Sequence, residues 1–163
     1  MTLNKEAVTQ GPSWNLSTEY SGPLDPNIDV DLAALAQSLG LDVIIVDHHQ
    51  VSDPEPVAIA HLNPHRGDSS YPYKGLAAVG IAFMLLVELR RRADAREGVS
   101  MINRRIDTFL DLVALGTVAD VAPLTDINRA LVRYGLGQIK AAPRIGVEAL
   151  CRVSGVEPDA INE

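Results

Sequence analysis

The chain has 163 residues with 14 Lys and Arg against 21 Asp and Glu, a formal net charge of -7. That acidity excludes a general nucleic-acid coat, which needs excess Lys and Arg, but not an enzyme whose metal-binding carboxylates are themselves acidic. A hydrophobic content of 47% supplies a core built mostly from Leu, Val, Ile and Ala, and a single cysteine excludes a disulfide framework and a Cys-based zinc site within one chain.

In chain order, residues 1–28 show no hydrophobic period and several Pro and Gly, so they read as an irregular leader. Asp29 or Asp31 can N-cap a short helix over Leu32–Leu39, ended by Gly40. Leu41–Val46 reads as a buried strand covered on both faces, because β-branched residues dominate it. A second strand is expected at Val57–Leu62, then a loop over Asn63–Gly75. Leu76–Ala95 reads as a central helix, apolar on all faces until Glu88, and Arg90, Arg91 and Arg92 suit its negative end.

The next helix is expected over Ile102–Val118, with Ile106, Phe109, Leu110, Val113, Ala114 and Thr117 as its inner stripe. Two more are expected, at Asn128–Ala141 and Gly146–Ser154, and Asp159–Glu163 reads as the first turn of a further one. There is no internal repeat. The apolar run Leu76–Leu89 is shorter than the roughly 20 residues a membrane span needs. No basic segment followed by an apolar run opens the chain, so the expectation is a cytoplasmic protein with no membrane partner. The fold class is α/β, a short parallel sheet followed by a mainly helical half.

Asp47, His48 and His49 stand at the end of the first strand, where α/β sheets display their chemistry. Carboxylate and imidazole together suit a borderline cation such as Mn²⁺. Neighbours on an extended strand point to opposite faces, so the three converge only if the chain turns at Asp47. Gln50–Pro54 permits that; otherwise the three are a solvated strand end. Asp120 lies among small and apolar residues, where burial is costly without a cation or a hydrogen bond. Its alternative role is to cap the next segment. Asp111 reads as one half of a surface ion pair, and Cys151 as a small core residue. His61 and His65 flank the Asn63-Pro64 turn. Arg66, Lys74 and Arg129 are cations that could meet phosphates, or solvated charges.

Three stretches, LDVIIVDHHQ (41–50), LNPHRGDSSYPYKGLAAVGIAFMLLVEL (62–89) and DLVALGTVADVAPLTDINR (111–129), resemble in order the RecJ-type single-strand-specific exonucleases of the DHH phosphoesterase superfamily. The likeness covers roughly residues 31–155. It implies a two-metal phosphoesterase using Mn²⁺ or Mg²⁺ that removes nucleotides from the 5′ end of single-stranded DNA, in DNA repair and recombination. It makes His48 a metal ligand and Asp120 a carboxylate on the same ion. His49 would contact the scissile phosphate or the leaving oxygen, and Asp47 would be a further ligand or its support. His65, Arg66, Lys74 and Arg129 become the substrate-binding candidates.

The chain also departs from the family pattern. The earlier Asp-x-Asp strand and a second strand-end Asp are not found: Asp29-Val-Asp31 reads as a helix start, and Asp25 lies in no strand. The family's C-terminal DNA-binding region is not found either. Residues 29–163 therefore read as a partial DHH domain, truncated at both ends, with at most half a metal site and little activity alone. The alternatives are an inactive truncated product, or another DHH enzyme acting on pyrophosphate or short oligonucleotides. Apolar faces are expected to be exposed and to favour oligomers.

Overall fold

A computed structural model describes residues 26–51, 53–96 and 105–161. Most of the expected leader, Asp25, the expected helix start at Ile102 and the last two residues lie outside that set. The described residues fall into two compact units.

The first unit holds residues 26–43 and 53–59. Its helix, α1 (Pro26–Ser38), begins earlier than expected. Pro26 takes the first helical position, where its fixed φ is already helical and no amide hydrogen bond is lost. Asp29 and Asp31 thus lie inside the helix and do not cap it. Gly40, at φ +72°, closes α1: the Leu41 amide donates to the Ala36 carbonyl and the Gly40 amide to that of Gln37. Leu35, Leu39 and Leu41 are exposed, as expected of unpartnered apolar faces.

The second unit holds residues 44–51 and 60–161. Strands β1 (Ile44–Val46) and β2 (Ala60–Leu62) pair in parallel, with Ile45 opposite His61. Each is half the expected length. Ile44 is 53% exposed, so β1 is not covered on both faces: β2 is its one paired neighbour among the described residues, and α2 (Ala78–Ala95) its helical contact. Within α2 itself Gly80 and Ile81 are buried, while Leu89 is exposed. The helix is therefore not buried all round; it gives one stripe to a core of Leu76, Ile81, Val113 and Leu131. Glu88 binds Arg91 and Arg92, which hold its carboxyl at about 2. No helix among the described residues is long and apolar enough to cross a membrane.

A short 3-10 turn, Ile106–Phe109, leads into α3 (Leu110–Ala119), which packs along α4 (Asp126–Ala141). Val113, Ala114 and Thr117 are buried, as the expected inner stripe requires. Asp111 corrects its expectation. It is 4% exposed, and its carboxylate takes the Arg144 guanidinium at 2.5 Å and the Leu112 amide at 2.8 Å. Arg144 also donates to the Thr108 carbonyl and lies over the Phe109 ring. These contacts tie the start of α5 (Ile145–Ser154) to the start of α3. Cys151 is buried with Ile139 and Val147.

Gly135 sets how closely α3 and α4 approach. A Cβ there would lie 2.1 Å from the Leu110 carbonyl oxygen and 2.5 Å from the Ala114 Cβ. Two turns of backbone touch where a side chain would stand. At Gly137, on the same helix, a Cβ would meet nothing within 4 Å. Gly135→Ala should cost at least about 2 kcal/mol through overpacking. Gly137→Ala should gain up to about 1 kcal/mol from helix propensity. Urea unfolding of both variants checks this; equal effects would contradict the close approach.

Candidate active site

The parallel ladder runs one bond beyond β1, the Asp47 amide donating to the Leu62 carbonyl at 3.0 Å. There the chain turns, because Asp47 Oδ1 accepts the His49 amide at 3.2 Å. This is an Asx turn, the side chain standing in for a backbone acceptor. The same oxygen accepts His49 Nδ1 at 2.7 Å. A carboxylate can only accept, so Nδ1 carries the proton and the neutral imidazole has its lone pair on Nε2. His49 is largely exposed, its side chain 71% accessible.

Asn63 fixes this turn from the end of β2. It is 4% exposed. Its Nδ2 donates to Asp47 Oδ2 at 3.1 Å and to the His49 carbonyl at 2.9 Å, and its Oδ1 accepts the His65 amide at 2.8 Å. The sequence reading missed Asn63. Its signal is the strand register, which the sequence does not carry: Leu62 pairs with Val46, so the residues after them, Asn63 and Asp47, stand side by side.

Burial works to raise the Asp47 pKa, but bonds from the His49 ring and from the His49 and His48 amides outweigh it. The carboxyl is held below its ordinary value.

His48 turns the other way. Its Nε2 lies 3.1 Å from Asp120 Oδ2. The three adjacent residues therefore form two pairs, Asp47 with His49 and His48 with Asp120. Of the two roles expected for Asp47, ligand or support, the bonds to His49 and Asn63 describe the support. The rings of His48 and His49 remain neighbours, their centroids 4.3 Å apart.

Asp120 is the C-cap of α3. The helix closes in a Schellman turn, the Ala122 amide donating to the Thr117 carbonyl at 3.2 Å and the Val121 amide to that of Val118 at 3.0 Å. Such turns need positive φ at the next residue. At the ends of α1 and α5 Gly40 and Gly155 supply it, but here Val121 does, at φ 54°. A β-branched residue in that region stores strain of about 1–2 kcal/mol. The strain sits beside the carboxylate that meets His48. Asp120 itself is not buried as expected, its side chain being 36% exposed.

His48, His65, Lys74 and Asp120 line one open cleft of about 440 Å³. Lys74 is not a free cation there. Its Nζ donates to the Pro64 carbonyl and, at 3.3 Å, to the Ser69 carbonyl, so it braces the loop after β2. Arg66 lies apart, in a second cleft of about 680 Å³ that also holds His61. It grips Asp68 at 3.0 and 3.1 Å and reaches the His61 ring. Arg129 is exposed on the first turn of α4 and lines neither cleft. Of the four substrate-binding candidates, the structure brings His65 and Lys74 to His48 and leaves Arg66 and Arg129 away.

Among the described residues no three His, Cys, Asp or Glu side chains gather as a metal site. The adjacent imidazole of His48 and carboxylate of Asp120 fit one edge of a borderline divalent cation by donor chemistry.

Residues 23–117 match the DHH family, N-terminal domain. The chain is 42% identical over 132 residues to the single-stranded-DNA-specific exonuclease RecJ of Salmonella typhimurium, covering 78% of this chain and 23% of that protein. To RecJ of Escherichia coli it is 44% identical over 123 residues, covering 73% and 21%. To RecJ of Bacillus subtilis it is 37% identical over 131 residues, covering 80% and 15%. The chain thus spans about a fifth of the length of these curated relatives. Among solved structures it resembles a crystal structure of exonuclease RecJ bound to manganese, with a TM-score of 0.59 and 33% identity over 80% of this chain and 32% of that one.

The lowered Asp47 pKa has a sign. With the folded value below the ordinary 3.8, ionised Asp47 stabilises the fold fully above that value. The contribution is lost as the pH falls through the folded value. Asp47→Asn should therefore flatten the fall in stability below about pH 4. Denaturant unfolding across that range checks it, and an unchanged slope would contradict the pairing.

Proposed function

We propose that this chain, which belongs to the DHH family, carries part of the catalytic centre of a metal-dependent, single-strand-specific 5′-to-3′ DNA exonuclease. The observation that carries the reading is the His48–Asp120 pair, an imidazole from the strand end and a carboxylate from the α3 end, 3.1 Å apart on one cleft. The manganese in the RecJ neighbour and the single-stranded-DNA specificity of the RecJ relatives support it. His48 Nε2 and Asp120 Oδ2 would hold Mn²⁺ or Mg²⁺. A bound divalent ion supplies Lewis-acid polarisation of a phosphoryl oxygen and a lowered pKa for its water.

The chain's own residues supply the rest. Asp47 accepts the hydrogen bond of His49 Nδ1–H and so fixes the tautomer and the ring. His49 Nε2, once protonated, can then donate to a phosphate oxygen or to the leaving oxygen. Asn63 holds this dyad rigid by bonding both its members. His65 and Lys74 give the cleft wall a polar and cationic character that suits phosphate.

Two metal-capable groups at 3.1 Å supply one edge of one ion, and a two-metal phosphodiester centre needs ligands for two. We therefore infer that the chain alone turns over little DNA. The lone, interior, unpaired Cys151 accords with a reducing compartment and supports a cytoplasmic setting. The exposed Ile44 in the sheet supports self-association as a further property, and sizing chromatography at a monomer's volume would contradict it.

The test uses 5′-labelled single-stranded DNA with Mn²⁺. His48→Ala and Asp120→Asn should each weaken Mn²⁺-dependent capture of this DNA at least about 10-fold. Capture equal in the wild type and both variants would contradict the assignment. Nucleotide release that is lost in His48→Ala would overturn the inference that the chain alone is inactive.

A further inference from the structure

Two side chains outside the His48–Asp120 pair hold together the segments that carry Lys74 and Asp120. Asn128, in the first turn of α4, is 0% exposed. Both its amide protons are spent across segments: Nδ2 donates to the Gly75 carbonyl at 2.7 Å and to the Pro123 carbonyl at 3.0 Å. Its Oδ1 is buried without a hydrogen-bond partner among the described residues. A buried polar residue with one atom unsatisfied costs stability, so packing alone would favour an apolar side chain here.

The Tyr73 hydroxyl reaches the same junction. It lies 3.0 Å from Thr125 Oγ1 and 3.2 Å from the Pro123 carbonyl oxygen, so it can accept from the first while donating to the second. Gly75 lets the segments close. A Cβ at that position would stand 2.7 Å from the Tyr73 hydroxyl oxygen and 2.9 Å from Pro123 Cγ. The Pro123 carbonyl thus accepts from both clamps, three residues beyond Asp120 and two beyond the strained Val121.

We propose that Asn128 and Tyr73 are positioning residues that pin the Asp120–Pro123 turn against Lys74–Gly75 and so hold the Asp120 carboxylate opposite His48. On one side the turn hangs from α3 through its helix-end bonds; on the other the clamp stops it from relaxing. Without the clamp, Val121 can leave its positive φ, and Asp120 swings with it. The proposal rests on the reading of Asp120 as one arm of a cation site, but its test needs neither metal nor DNA.

Tyr73→Phe keeps the ring that packs on Gly75 and removes the hydroxyl alone. Asn128→Ser shortens the second clamp and serves should the first variant fold poorly. In hydrogen exchange on the whole chain, the amides of Asp120, Val121 and Ala122 should exchange about 10-fold faster in either variant, while those of α5 keep their rates. A double-mutant cycle of Tyr73→Phe with His48→Ala should couple about fivefold in the unfolding constant, because the His48–Asp120 contact is worth less once Asp120 is loose. Exchange that rises equally in α5, or a cycle that is additive, overturns the proposal. A structural role confined to the clamp would leave the cycle additive. Loss of Mn²⁺-dependent DNA capture has no bearing on either readout, so the clamp and the exonuclease reading fail separately.

Discussion

The missing Cβ of Gly135 lets α4 lie against the Leu110 carbonyl and Ala114 of α3. Most of what the second unit does follows from that contact. It fixes the axis of α3, and α3 carries Asp120 at its end. It also fixes the first turn of α4, from which Asn128 reaches back to Pro123 and Gly75. Asp111, buried near the other end of α3 and paired with Arg144, holds α5 to the same scaffold. Close backbone packing therefore becomes the placement of one carboxylate. Small residues at such a contact trade side-chain area for proximity, and the exchange is favourable only where both helices are held by other buried stripes.

The site is best understood as two side-chain pairs on a turn and not as a triad. Strand geometry sends Asp47 and His48 to different sides, and the Asx turn brings His49 back to Asp47. One pair sets a tautomer; the other sets a carboxylate beside an imidazole. Asn63 connects the first pair to β2, and strain at Val121 marks the second. Strain in a folded protein persists where surrounding contacts over-determine it. The clamp of Asn128 and Tyr73 supplies such contacts on one side, and the bonds that close α3 supply them on the other.

Much of this was legible in the sequence. The helices expected from hydrophobic pattern at Leu76–Ala95, Asn128–Ala141 and Gly146–Ser154 start within two residues of the observed Ala78–Ala95, Asp126–Ala141 and Ile145–Ser154, and Val113, Ala114 and Thr117 of the expected inner stripe are buried. Composition marks β-propensity along the whole of the 41–46 and 57–62 runs. Pairing to a neighbour, which composition does not carry, decides where strands end. Asp111 was misread because a carboxylate near the start of a helix is commonly solvated; its partner Arg144 is 33 positions away. Charge alone makes Lys74 and Arg66 candidates to meet phosphates; it does not carry that loop carbonyls brace Lys74 in the cleft of His48 while Asp68 holds Arg66 in another. Asn63 and Asn128 escaped notice because amides carry no charge and no hydrophobic period. Their roles emerge only when the segments they join are side by side.

The central claim is that His48 and Asp120 together hold a divalent cation. Titration of the isotopically labelled chain with Mn²⁺ reads this most directly, because the ion broadens the amide signals nearest to it. The account predicts that signals of residues 48–49 and 119–122 fade first, that those of α5 persist, and that His48→Ala removes the selectivity. Uniform broadening along the chain, or the same selective pattern in His48→Ala, would contradict it.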